Sequence, residues 1–230
     1  MSFDQIKAIA FDADDTLWVN ETLFREAEQE FCVLLKDFVP EEECNKRLFD
    51  MEMKNLPLYG YGIKPFTLSL IEAAIHFSDG KISNKTITDI IDIGKRMLEA
   101  PVELIDGIEE TLAHLSSRYR LVMATKGDLL DQERKLIKSG LEPYFHHIEI
   151  VSDKQPRHYQ KLVNHLDIGV GEFLMVGNSV KSDVLPVLEI GAHAFHIPFH
   201  TTWIHEQVSE PVQHPNFKLL KKATEMIAFL

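Results

Sequence analysis

The chain has 230 residues, 45% hydrophobic and 26% charged, ordinary globular material with room for one sizeable domain and a smaller one. Its net charge of −12 excludes broad nucleic-acid binding, which needs clustered Lys and Arg; the longest basic cluster is Lys221-Lys222. Two cysteines, Cys32 and Cys44, without a CxxC motif, point neither to a disulfide framework nor to a thiolate zinc site.

The opening residues Met1–Gln5 carry no basic region ahead of an apolar run, and no later stretch reaches about 18 uncharged apolar residues. The expectation is a soluble, cytoplasmic protein. Ile6–Phe11 then reads as a strand buried on both faces, and it ends abruptly in Asp12, Asp14, Asp15 and Thr16. Carboxylates cost too much in a core. At the carboxyl end of a central parallel strand they lie where α/β sheets put their ligands, and they suit a cation, a phosphate or both.

From Glu21 to Ala100 apolar residues recur at helical spacing, with Leu23, Ala27, Phe31, Leu34 and Leu35 as one stripe and Phe66, Leu68, Ile71, Ala74 and Ile75 as another. Breaks are expected at Phe38–Pro40, at Asn55–Gly62 and at Ser78–Gly80. Ser83 or Asn84 caps a last helix that runs to about Glu99. The segment is a helical insertion of about 80 residues.

Beyond Pro101, helices and strands alternate. Helices are expected at Gly107–Ser117, from the cap Asp128 to Gly140, at Pro156–Leu166, at about Ser182–Ile190 and, as a closing amphipathic helix, at Lys218–Leu230. Strands are expected at Arg120–Ala124, His147–Val151, Phe173–Gly177 and Ala192–Ile197. Such alternation means a parallel sheet with right-handed crossovers, and the first strand must join it. The fold class is therefore α/β, a doubly wound, Rossmann-like parallel sheet (residues 1–18 and 101–230) with an inserted α-helical domain (19–100).

Each of these strands ends in residues with chemistry to offer. Asp12, Asp14 and Thr16 follow the first, Thr125 the second, Ser152, Asp153 and Lys154 the third, and Asn178, Ser179 and Asp183 the fourth. In a parallel sheet these ends share one edge. Carboxylates, a hydroxyl and an ammonium on a common rim suit a divalent cation and a phosphate.

The run Asp12-Ala13-Asp14-Asp15-Thr16-Leu17, then Thr125, then Lys154, then Gly177-Asn178-Ser179-Val180-Lys181-Ser182-Asp183 resembles the four motifs of the haloacid dehalogenase-like hydrolases. The helical insertion resembles the α-helical cap of their phosphoglycolate-phosphatase-like branch. The resemblance implies that Asp12 is the nucleophile that forms an aspartyl-phosphate. It makes Asp14 the acid and then the base, a role for a carboxyl that holds its proton near neutral pH. Thr125 and Lys154 would hold the transferring phosphoryl group, with Lys126 as a neighbouring substrate contact. Mg²⁺ would sit on Asp12, the Asp14 backbone carbonyl, Asp183 and Asn178. Two carboxylates and a phosphate dianion crowd four negative charges together; Lys154 removes one and Mg²⁺ two more. Asn178 stands where the family often has Asp, and Asp15 where it usually has Gly.

The loop Leu58–Pro65, with Tyr59, Tyr61 and Lys64, combines aromatics, glycines and a cation, as suits contacts to an anionic or ring-bearing substrate. His193, His196, His200 and His205 are close in sequence, but His193 and His196, three apart on a strand, face opposite ways. The implied activity is a Mg²⁺-dependent phosphatase acting on a small phosphorylated metabolite. A sugar-phosphate mutase shares every catalytic residue, and a 2-haloacid dehalogenase shares the nucleophile but needs no second acid. A catalytically silent phosphate-binding or phosphoacceptor protein is the non-enzyme alternative.

Overall fold

In the computed structural model, which describes residues 3–208 and 210–230, the apolar run ahead of the carboxylates forms strand β1 (Ala8–Phe11). The expectation attached to Met1 and Ser2 lies outside the described residues. All four β1 residues are fully buried, because both neighbours in the sheet are parallel strands and both faces are covered. The neighbours are β2 (Arg120–Lys126) and β4 (Phe173–Gly177). Outside them lie β3 (His147–Val151) on one side and β5 (His193–His196) then β6 (Phe217–Leu219) on the other. The order β3-β2-β1-β4-β5-β6, parallel throughout, reverses direction between β1 and β4. Ligands of such sheets bind outside the carboxyl ends of the strands at that switch point.

Side chains alternate along β1. Ile9 and Phe11 pack with Leu121, Met123, Leu174 and Val176 against α5 (Ile108–Ser116) and α6 (Leu129–Ser139), through Leu112, Leu115 and Leu136. Ala8 and Ala10 share the other face with Val122, Phe173 and Met175, under Tyr159, Leu162 and Val163 of α7 (Pro156–His165) and Val187 of α8 (Leu185–Glu189). Helices on both faces make the sheet doubly wound.

The closing helix expected at Lys218–Leu230 is instead strand β6 followed by a 3₁₀ helix, Ala223–Ala228. Ala194 donates to the Asn216 carbonyl (3.0 Å) and Leu220 to that of His196 (2.9 Å), so the stretch covers the open edge of β5. Three residues are too few for a period to show. Similarly, the helix expected from Ser182 begins earlier, as a π-helical turn over Val180–Val184 that leads into α8.

The chain divides into two compact units, Met1–Glu21, Val102–Lys126 and Arg134–Leu230 in one, Thr22–Pro101 and Gly127–Glu133 in the other. The second unit holds α1 (Glu21–Leu34), α2 (Glu41–Tyr59), α3 (Ile63–Phe77) and α4 (Asn84–Glu99) around a core that includes Phe31, Leu35, Leu48, Phe66, Leu70 and Ile90. Ser83 caps α4, accepting from Thr86 N at 3.0 Å. The wide break expected at Asn55–Gly62 shrinks, since α2 runs through Pro57 to Tyr59 and stops at Gly60, whose φ of +75° suits only glycine well. Gly127–Glu133, attached to the sheet in the sequence reading, clusters with the helices, where Lys64 Nζ lies 2.7 Å from Asp128 Oδ1.

The cysteines correct another expectation. Cys32 on α1 and Cys44 on α2 are buried with Cα atoms 5.7 Å apart, and a disulfide joins them. Their spacing carries no motif; the pairing follows from two adjacent helices that the chain brings alongside.

Candidate active site

The carboxylate-rich loop is held in a tight turn directly after β1. Asp12 N donates to Val176 O on β4 (2.8 Å), and the Ala13 carbonyl accepts from Leu17 N (2.8 Å) and Thr16 N (3.2 Å). Asp15 takes the left-handed conformation (φ 59°), which Asp tolerates better than most residues. Its Oδ1 accepts from Asn20 N (2.8 Å) and Glu21 N (3.0 Å), so the residue with no role in the sequence reading caps the chain where α1 begins. Burial pushes the Asp15 carboxyl up to about 7 against the pull of those two amides.

Asp14 is oriented by two donors on one oxygen, Trp18 Nε1 at 2.8 Å and Lys135 Nζ at 3.0 Å. Lys135 also donates to Asn20 Oδ1 (2.8 Å). Sequence reading missed both partners. Trp18 is fully buried, and Lys135 lies on α6, where nothing in a helical pattern marks one lysine from the next.

Lys154 is the hub of the second cluster. Its ammonium, almost wholly buried, lies 2.5 Å from Asp12 Oδ1 and 2.6 Å from Asp183 Oδ1. Asp183 is fully buried, and its Oδ2 accepts from Ser179 N at 3.0 Å. Gly177 makes room for it: a Cβ there would lie 2.1 Å from Asp183 Oδ2. Burial, then the Asp183 charge, push Asp12 up to about 7 while Lys154 pulls it back. Burial alone would lower Lys154, but the two carboxylates raise it, so the lysine is held charged. Two buried carboxylates sharing one ammonium leave negative charge in excess.

Asn178 faces that excess. In one orientation of its amide, Oδ1 sits 3.2 Å from Asp12 Oδ2 and 3.2 Å from the Asp14 carbonyl oxygen, three acceptors with no hydrogen between them; turned over, Nδ2 donates to both and to Thr16 Oγ1 at 3.3 Å. Asp12 Oδ2, the Asp14 carbonyl and the Asn178 amide oxygen, with Asp183 tied to Asp12 through the shared Lys154, are the hard-donor chemistry that Mg²⁺ takes. The donor set therefore fits the ion, with Asp12, the Asp14 carbonyl, Asn178 and Asp183 as the residues that would hold it.

The remaining residues divide between the two units. Thr125 is buried at the end of β2, its Oγ1 donating to Lys126 O at 3.2 Å. Lys126 Nζ donates to Ser182 Oγ (2.9 Å) and pairs with Glu206, a residue that sequence reading did not single out. Tyr59, Tyr61 and Lys64 belong to the helical unit, where Tyr59 donates to Glu72 and Lys64 pairs with Asp128.

A Rossmann-like sheet with a carboxylate-rich loop after β1, a buried lysine after β3 and an acidic turn after β4 is the arrangement of a class of α/β hydrolases. The model of the haloacid dehalogenase-like hydrolase family matches residues 6–191, and the chain belongs to that family. A crystal structure of a haloacid dehalogenase-like family hydrolase from Xanthomonas campestris is 36% identical, covering 97% of this chain and 90% of that one, with a TM-score of 0.87. Two more distant structures share the fold, each covering 97% of both chains with a TM-score of 0.65. One is a putative hydrolase of the family from Bacillus subtilis bound to magnesium (16% identity), the other a 2-haloacid dehalogenase from Pseudomonas syringae pv. Tomato (17%). No curated protein matches the chain.

Proposed function

We propose that this hydrolase is a Mg²⁺-dependent phosphatase that cleaves a small phosphorylated metabolite through an aspartyl-phosphate on Asp12. The observation that carries the proposal is Asp14, a second carboxylate two residues beyond the nucleophile, fixed by Trp18 and Lys135. Dehalogenation expels a halide, which needs no proton, so a held second acid has nothing to do there. An alkoxide leaving group does need one.

In the first step an Asp12 oxygen attacks phosphorus, the bond to the ester oxygen breaks, and Asp14 gives that oxygen its proton. In the second step Asp14 takes a proton from water, the water oxygen attacks phosphorus, and Asp12 leaves as a carboxylate with inorganic phosphate released. Lys154 holds Asp12 in line and, with Thr125, binds the phosphoryl oxygens. Bound Mg²⁺ would neutralise the carboxylates and the phosphoryl group so that two anions can meet.

The partner proposed is the metabolite alone, with neither nucleic acid nor membrane; among the described residues no helix is long and apolar enough to cross a membrane. Tyr59, Tyr61 and Lys64 remain the proposed specificity residues, tested by exchange for Ala across a substrate panel. A cytoplasmic location goes with the proposal, since the cytoplasm is where such metabolites are turned over. The Cys32–Cys44 bridge pulls the other way, because disulfides persist in oxidising compartments.

The test is phosphate release from a panel of phosphate esters with and without Mg²⁺, alongside Asp12→Asn and Asp14→Asn. Mg²⁺-dependent release abolished by Asp12→Asn is expected. No release from any ester, or a fully active Asp12→Asn, sinks the reading. Adding 2-haloacids to the panel tests the dehalogenase that one neighbour represents, and product analysis on sugar phosphates separates hydrolysis from phosphoryl shift.

A further inference from the structure

Glu206 is a largely buried carboxylate for which the mechanism above has no use. It lies beyond β5, in a 3₁₀ turn over Ile204–Glu206 whose other side chains are more exposed. Only 11% of its side chain is accessible, and both its oxygens are occupied. Oε1 accepts from Lys126 Nζ and from Ser182 Oγ (2.9 Å), and Oε2 accepts from Ser179 Oγ. Lys126 closes the ring by donating to Ser182 Oγ at 2.9 Å. A buried carboxylate is tolerated only when it is this fully partnered.

The partners are informative. Lys126 is the residue after Thr125, at the end of β2. Ser179 and Ser182 flank and belong to the π-helical turn Val180–Val184, which carries Asp183. A π turn has poorer backbone geometry than an α turn and recurs at functional sites, so it needs outside support to keep one shape. Ser179 Oγ accepts from Ser182 N (3.1 Å), Tyr159 Oη donates to Ser182 O (2.9 Å), and Lys181 Nζ donates to His205 O (2.9 Å) beside Glu206. Glu206 takes hold of both serine hydroxyls. From it an unbroken chain runs through Ser179 and Asp183 to Lys154 and Asp12.

We propose that Glu206 is a positioning residue: it clamps the Ser179–Asp183 turn to the end of β2, so that Asp183 keeps the place from which it would hold the cation and Lys126 keeps its direction beside Thr125. It does not touch the reacting atoms. The assay, but not the structural claim, rests on the phosphatase reading, so the test has arms that need no substrate.

The variants are Glu206→Gln, which keeps shape and one acceptor oxygen but loses the charge, and Glu206→Ala, with Lys126→Met/Glu206→Gln as the double. On the full chain, calorimetric titration with Mg²⁺ alone is expected to give a Kd raised about tenfold in Glu206→Gln and more in Glu206→Ala, the usual cost of losing a support behind a metal ligand. Amide exchange is expected to rise over residues 179–184 and to stay at the wild-type level in β1. With substrate, kcat falls about tenfold or more, KM is nearly unchanged, and acetate partly restores Glu206→Ala. The double variant is no worse than Glu206→Gln, because Lys126 depends on Glu206 for its placement.

Wild-type Mg²⁺ affinity together with unchanged exchange in Glu206→Gln overturns the proposal. So does a KM about tenfold lower at constant kcat, which makes Glu206 an internal plug in an anion site formed by Lys126, Ser179 and Ser182. If Glu206→Ala does not fold, the isosteric Gln variant decides. If wild type releases no phosphate, the phosphatase reading fails while titration and exchange still judge Glu206.

Discussion

Taking the ammonium away from Lys154 tests the charge logic of the site directly. Lys154→Met keeps much of the side chain's length but leaves Asp12 and Asp183, 8% and 0% exposed, without the cation that sits 2.5 and 2.6 Å from them. Removing one partner of a buried pair costs about 3–5 kcal/mol. The cheapest escape is for the folded carboxylates to hold an extra proton. Asp12 already lies at about 7 with Lys154 present, and it must rise further in the variant. The sign follows: the folded variant binds more protons than the unfolded chain, so its stability is fully kept below about pH 4. It is lost at up to about 1.4 kcal/mol per pH unit as pH rises toward the raised value. Wild-type Asp12 follows the same slope up to about 7, so the gap widens only above that value: at about 2–4 °C per kcal/mol for a chain of this size, metal-free Lys154→Met should melt a few degrees below wild type at pH 5 and roughly 3–5 °C further below it at pH 8. Adding Mg²⁺ should recover part of the gap, by mass action on the folded state. Thermal unfolding followed by circular dichroism, in chelator and then in Mg²⁺, from pH 5 to 8, reads all of this. A metal-free variant that melts with wild type at pH 7.5, or whose deficit does not grow with pH, refutes the reasoning.

Gly177→Ala should lower activity about a hundredfold or more while costing roughly 1–3 kcal/mol, because its Cβ would fall 2.1 Å from Asp183 Oδ2; a wild-type rate in the phosphate assay would show that Asp183 can move freely. Asp15→Asn keeps the acceptor for the Asn20 and Glu21 amides and suits the left-handed backbone, yet carries no charge. Since burial raises Asp15 to about 7, the wild type loses stability as pH rises from about 4 through 7. The variant should match it near pH 5 and exceed it by about 1–3 kcal/mol at pH 8 in urea unfolding. Replacing Cys32 and Cys44 together by Ser should cost about 2–3 kcal/mol for the short loop that they close, and coincident unfolding midpoints with and without reductant would contradict it. Asn178→Asp adds a carboxylate beside Asp12 Oδ2 and should tighten Mg²⁺ severalfold in calorimetric titration, while lowering metal-free stability.

The sheet was legible because its strands are buried on both faces: Ala8–Phe11 and Phe173–Gly177 are unbroken apolar runs, and each ends at a change of chemistry. Asp12, Lys154 and Asp183 could be named in advance because a parallel sheet gathers strand ends at one edge, and the structure brings those three within hydrogen-bonding distance. Strand β6 was hidden by its length. Lys135 and Glu206 were hidden because nothing periodic marks them: one is a lysine among others on α6, the other a glutamate in an irregular turn, and their roles exist only once the chain has folded. The disulfide was hidden likewise, since two cysteines twelve apart pair only when α1 and α2 lie side by side.

A net charge of −12 required an anionic substrate to find local positive charge, and the α/β unit supplies it in an unexpected form. Lys126, Lys135 and Lys154 come from β2, α6 and the end of β3, but each is committed to a carboxylate: Glu206, Asp14, and the Asp12–Asp183 pair respectively. The lysines therefore act first on the protein's own acids, fixing Asp12, Asp14 and the turn that bears Asp183. Counted together, the four carboxylates outnumber the three ammoniums when all are ionised, so a phosphate dianion approaching these residues alone meets net repulsion. A divalent cation on the oxygens of Asp12, Asp14, Asn178 and Asp183 reverses that sign without disturbing any lysine. The neutral amide at position 178 reduces the repulsion by one charge at some cost in grip on the ion. Metal before or together with substrate is then the order that the charges favour.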